Sequence, residues 1–137
     1  MATGTLVDSN VLLDIMTDDP NWSPWASEAL AEAFERGPVM INPIIYAEVS
    51  IRFSSVEELE DVLPSQAFLR ESIPWAAAFL AGKAFLRYRR NGGVRRTTLP
   101  DFFIGAHAAV HRLTLLTRDA GRFHTYFPTV TLATPGS

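Results

Sequence analysis

The chain contains no cysteine among its 137 residues. That excludes disulfides, thiolate metal ligands and a thiol nucleophile, and it suits a reducing compartment such as the cytoplasm. No apolar run approaches the length that spans a bilayer. The amino terminus shows no succession of basic, apolar and small residues, so neither a membrane anchor nor a secretory leader is expected. No lysine occurs after Lys83. Acid is also scarce in the second half: from Ser72 to Ser137 there are two carboxylates, Asp101 and Asp119, beside nine Lys/Arg. Met1 to Glu71 carries the reverse, thirteen Asp/Glu against three Arg. The net charge of −3 would not suggest a polyanionic partner, but this asymmetry between halves does.

The length fits one compact domain with a sizeable core, expected over residues 1–132 with a short tail at 133–137. Apolar runs at 5–7, 39–41, 66–70, 114–117 and 127–132 are expected strands. Between them lie segments of helical period: 11–16, 25–36, 44–53, 54–62, 74–90, 100–112 and 118–125. Proline and glycine punctuate them, with Pro24, Pro43, Pro74 and Pro100 at helix starts and Gly37, Gly92 and Gly93 at helix ends. Trp75, Phe79, Gly82 and Leu86 recur at helical spacing; on the later helix Phe103, Ile104 and Ala108 are expected to face inward. Strands alternating with helices predict an α/β domain with a mostly parallel central sheet of about four to five strands. In such sheets ligands collect beyond the carboxyl ends of the strands. Asp8 and Asp119 both fall there, each just after an apolar run.

Four segments give the chain its character: Leu6–Asp14 (LVDSNVLLD), Asn42–Val49 (NPIIYAEV), Leu99–Ala108 (LPDFFIGAHA) and Leu115–Phe123 (LLTRDAGRF). Taken singly they are weak; taken together and in this order, the chain resembles the PIN-domain nucleases, and within them the VapC-type ribonuclease toxins. The likeness runs from near the start to Phe127. It implies that Asp8, Glu48, Asp101 and Asp119 form an acidic catalytic site, with Asp8, Asp101 and Asp119 as metal ligands. Asn10 and Thr117 match the polar neighbours that steady those carboxylates. It also implies a PIN-like fold, a homodimer and a VapB-like antitoxin whose tail blocks the acidic pocket.

The chemistry is consistent with these residue types. Hard divalent cations, Mg²⁺ or Mn²⁺, prefer oxygen ligands. Four acids gathered without a cation would repel one another, and a bound ion relieves that. Such an ion lowers the pKa of water and stabilises charge on a scissile phosphate. The family resemblance adds in-line hydrolysis leaving 5′-phosphate and 3′-hydroxyl ends. Each acid also has an ordinary explanation: Asp8 and Asp119 stand where caps stand, Asp101 follows Pro100 where acid favours the helix dipole, and Glu48 can face solvent. The argument for a shared site rests on the four together.

Half of all Lys/Arg lie between Lys83 and Arg96. Of these, Lys83, Arg87, Arg90, Arg95 and Arg96 are candidate phosphate contacts to RNA, with Tyr88 placed to stack on a base. A solvated helix end explains them equally well. His107 and His111, four apart, could hold a transition metal, but the sequence offers no third ligand. Trp22, Trp25, Leu30 and Phe34 exceed the needs of one helix face and fit either core or a partner groove. Two other functions remain open: an RNA-processing PIN nuclease without an antitoxin, and a receiver-like Mg²⁺-binding signalling domain. The latter lacks the late lysine it requires.

Overall fold

A computed structural model describes residues 4–92 and 97–136. Among the described residues, seven helices flank one five-stranded sheet, in the chain order β1 (Thr5–Val7), α1 (Ser9–Met16), α2 (Ser23–Arg36), β2 (Val39–Ile41), α3 (Pro43–Ser50), α4 (Val56–Val62), β3 (Phe68–Arg70), α5 (Trp75–Arg90), α6 (Leu99–Val110), β4 (Thr114–Leu116), α7 (Ala120–His124) and β5 (Leu132–Ala133). The sheet order is β3-β2-β1-β4-β5, and every pairing is parallel. This is the expected α/β architecture. No helix among the described residues is long and apolar enough to cross a membrane.

The strands are short and apolar throughout because helices cover both faces. Leu6, Val7, Ile41, Leu115 and Leu116 are fully buried at the centre of the core. From β1 the chain steps to β2 and β3, then returns to the other side of β1 to lay down β4 and β5. The reversal falls between β1 and β4, so the carboxyl ends of these two strands diverge into a crevice. Asp8 follows β1 and Thr117 follows β4 at that point. Helix starts are secured locally: the Asn42 side chain accepts from Ile45 N at 3.0 Å to cap α3, and Ser55 accepts from Glu58 N at 3.2 Å to cap α4.

One expectation is corrected, the last strand, and two helical patterns gain their directions. The stripe Trp75, Phe79 and Leu86 faces outward, with Trp75 91 % and Phe79 70 % exposed. α5 instead buries Ala77, Ala81 and Ala84 where it lies along α6, because small side chains let two helix backbones approach. On α6, Ile104 and Ala108 are buried as expected and Phe103 packs partly buried against the core, while the fully buried aromatic is Phe102. Phe102 sits among the rings of Phe85, Tyr88, Tyr126 and Phe127 at centroid distances of 5.4 to 5.9 Å. Tyr88 is thus packed within the protein rather than held out for a base. The last strand is Leu132–Ala133, not 127–132. Phe127 N still bonds Phe123 O at 2.9 Å and Val130 N bonds Phe127 O at 3.1 Å, so this stretch turns. Pro128 could not donate to a ladder in any case.

Candidate metal and phosphate site

Asp8 lies just beyond β1 with both oxygens engaged. Oδ1 accepts from Ser9 N at 2.8 Å, so the residue does cap α1; Oδ2 accepts the Thr117 hydroxyl at 2.8 Å. Thr117 Oγ1 in turn accepts from Asp119 N at 3.1 Å. One hydroxyl therefore ties the two acids that follow β1 and β4. Ser9, which caps nothing itself, donates its hydroxyl to Glu48 Oε1 at 2.8 Å and draws α3 toward the start of α1. Asp101, in the first turn of α6, accepts the Thr98 N–H at 2.9 Å and the Thr98 hydroxyl at 3.0 Å through Oδ2. Its capping duty leaves Oδ1 turned elsewhere.

Burial and charge act on these acids together. Asp8 is almost fully buried, and its carboxyl is pushed up to about 6. Loss of water is the main cause; the Thr117 hydrogen bond opposes the rise, and the charges of Glu48 and Asp101 add to it. Glu48 is also raised, first by burial and further by Asp101, against the Ser9 hydrogen bond. Asp8, Glu48 and Asp101 thus feel one another directly. Asp119 is the most open of the four, its side chain 48 % exposed, and it stands at the rim.

A divalent cation fits this donor set. The donors are oxygens only, the kind hard divalent cations prefer, and the charges of Glu48 and Asp101 bear on buried Asp8; in this structure hydrogen bonds occupy both oxygens of Asp8 and of Asp101, and the acids do not reach the mutual 4.8 Å spacing met by Glu71, His107 and His111. Asn10 does something other than steady a carboxylate. Its Oδ1 accepts from Arg118 N at 3.3 Å, clipping the loop after β4 to α1, while its Nδ2 is buried without a partner. Arg118 is itself occupied: it pairs with buried Asp14 at 3.0 Å and lies over the Trp22 ring at 5.2 Å.

Arg122, which the sequence reading left unassigned, is the one cation within this group of acids among the described residues. Its Nη1 lies 3.2 Å from Asp101 Oδ1 and its Nη2 3.3 Å from Asp119 Oδ2. The available signal was an Arg three residues after the last acid, on one face of a helix. Of the basic cluster, Lys83, Arg87 and Arg90 are exposed along α5; Lys83 lies 5.3 Å from the Phe79 ring and Arg87 5.6 Å from that of Tyr126. Arg95 and Arg96 lie outside the described residues.

The histidines acquire the neighbour that the sequence could not supply. Ligand atoms of Glu71, His107 and His111 fall within 4.8 Å of one another. The tautomer argues against a metal there. Asn42 spends its oxygen on capping α3, so its Nδ2 must donate to His107 Nδ1, 3.0 Å away. Neutral His107 then carries its proton on Nε2, which is buried without a partner and offers an N–H rather than a lone pair. A cleft of about 530 Å³ opens beside this group, lined by Asn42, Tyr46, Arg70, Glu71 and Ser72 among others. None of the four acids lines it.

The family model described as PIN domain matches residues 5–127. No curated protein resembles the chain closely enough in sequence to count as a match. Solved structures share its fold. VapBC2 from Rickettsia felis, bound to a promoter DNA fragment, superposes with a TM-score of 0.74 at 16 % identity, covering 96 % of this chain and 98 % of that one. VapBC-1 from nontypeable Haemophilus influenzae gives 0.74 at 16 %, covering 96 % and 97 %. FitAcB from Neisseria gonorrhoeae gives 0.66 at 20 %, covering 93 % and 95 %.

Proposed function

The chain belongs to the PIN domain family, and we propose that within it the protein is a VapC-type toxin, a metal-dependent endoribonuclease held in check by a VapB-like antitoxin. What supports this reading is the arrangement at the sheet's reversal point: the Thr117 hydroxyl joins buried Asp8 to the Asp119 backbone, Ser9 joins Glu48 to the start of α1, and Arg122 bridges Asp101 and Asp119. Burying mutually repelling acids costs stability, and a cation-dependent function accounts for that cost. The toxin–antitoxin complexes that share the fold support the partner.

In this reading Asp8, Asp101 and Asp119 would hold Mg²⁺ or Mn²⁺. The ion would supply positive charge beside the scissile phosphate and make a bound water more acidic. Glu48, anchored by Ser9 and raised by burial, suits a group that orients the attacking water and takes its proton. Thr117 fixes the facing of Asp8. Lys83, Arg87 and Arg90, with Arg95 and Arg96 beyond them in sequence, would track the RNA backbone without reading bases. A homodimer would use the apolar face of α5, where Trp75 and Phe79 stand exposed.

The test is cleavage of total RNA by purified protein with Mg²⁺ or Mn²⁺, with end mapping, alongside induced expression in cells. The wild type should leave 5′-phosphate ends and arrest growth. Asp8→Asn and Asp101→Asn should do neither while keeping the native circular dichroism spectrum. Undiminished cleavage by either variant, or by the wild type in excess EDTA, overturns the assignment.

A further inference from the structure

Arg122 raises a question that the acid site alone does not answer. α7 is short, and it lifts Arg122 one turn beyond Asp119 so that the guanidinium reaches back over the site. There it bridges two acids from different elements, Asp101 on α6 and Asp119 before α7. The Asp101 oxygen it takes is Oδ1, the one that Thr98 leaves free. Its charge also reaches Asp8 and Glu48, where it opposes the rise of both carboxyls. A guanidinium held on a carboxylate oxygen competes with a divalent ion for that oxygen's charge, so the two cations oppose one another there. The Arg122 side chain is 28 % exposed, so it has room to move outward.

We infer that Arg122 is a built-in counter-ion that holds the cation seat between Asp101 and Asp119, and that loading of a divalent ion releases its guanidinium to grip the RNA phosphate. The inference rests on the proposed acid site. Two physical arguments support the second half. A planar guanidinium matches two phosphate oxygens as well as it matches two carboxylate oxygens. The vacated position lies beside the acids, where the scissile phosphate must come if they hold the ion.

Calorimetric titration of Mn²⁺ into metal-stripped protein tests this. Wild type, Arg122→Gln, Arg122→Lys and Asp101→Asn are compared, followed by cleavage kinetics on a single-stranded RNA. Arg122→Gln should bind Mn²⁺ roughly three- to tenfold more tightly, the scale of two partly exposed ion pairs removed. Its kcat should nonetheless fall about 10²- to 10³-fold, as when a positioned transition-state donor is lost. Arg122→Lys should keep near-wild-type Mn²⁺ affinity with intermediate kcat, which guards against a folding defect in the Gln variant. If Arg122→Gln binds Mn²⁺ equally or more weakly while Asp101→Asn loses it, the counter-ion role is wrong. If affinity rises but kcat holds, the phosphate role is wrong. If Asp101→Asn still binds Mn²⁺ normally, the acid site itself is wrong.

Discussion

Thr117 donates its hydroxyl to Asp8 at 2.8 Å although 109 positions separate them in the chain. The bond closes the crevice between β1 and β4 at its floor. The same oxygen receives the Asp119 N–H, so a single small side chain sets the facing of one acid and the backbone of another.

Thr117→Val keeps the volume and removes both bonds. Asp8 then loses its side-chain hydrogen bond, which opposes the rise of its carboxyl, and keeps only the Ser9 N–H, so its orientation loosens. Mn²⁺ affinity should fall about 10- to 100-fold, the usual cost of removing a partner behind a metal ligand. Thr117→Ser should retain it. Calorimetry that finds equal affinity in the Val variant would show the hydroxyl to be incidental.

The pH dependence of stability follows from Asp8. Its carboxyl stands at about 6 when folded against an ordinary 3.8, so the folded, metal-free protein binds this proton more tightly than the unfolded chain does. Stability from this group is therefore present at low pH and is lost as pH rises from about 4 through 6, of order 3 kcal/mol in all. Asp8→Asn has no charge to bury. In EDTA, the melting temperature of the wild type should drop relative to Asp8→Asn as pH rises from about 4 through 6 and level off above that, and saturating Mn²⁺ should close the gap. Parallel pH profiles for the two proteins in EDTA would contradict the burial argument.

Gly105 tests the packing behind Arg122. A Cβ there would stand 2.5 Å from two ring carbons of Phe127 and 3.1 Å from Phe123, both buried. Alanine in a helix interior gains up to about 1 kcal/mol over glycine, whereas overpacking costs about 1–3 kcal/mol. Both rings are packed in the core, so Gly105→Ala should lower stability by about 1–2 kcal/mol, seen as a lower Tm. Because Phe123 is the neighbour of Arg122, cleavage should weaken as well. An unchanged or higher Tm would mean that the rings yield freely.

Much of this was legible in the sequence, for identifiable reasons. The strands were visible because parallel strands covered on both faces must be apolar, and the proline and glycine punctuation fixed the helix starts. Helical spacing revealed the stripe Trp75, Phe79 and Leu86 but not its direction. Period says that residues share a face; only the partner helix decides which face is covered, and α6 demanded alanines. The run ending in Leu132 read as a strand because Phe127 and Val130 are apolar, yet Phe127 is buried as a plug against Gly105. At the site, the acids were visible by position, but their hydrogen bonds were not. The acceptor contact of Asn10 Oδ1 to the Arg118 backbone was not visible in the sequence at all. Arg122 escaped notice because attention to positive charge favours clusters, and a single guanidinium among acids leaves no cluster in the sequence.

β1 is made first and lies in the middle of the sheet, but its neighbour β4 and the acid beyond it come more than a hundred residues later. Asp8 therefore waits for most of the polypeptide before its crevice has a second wall. Until β4 is laid down beside β1, the acid after the first strand and the hydroxyl that fixes it cannot meet, so the site comes into being late, with the folded sheet and not with its first strand.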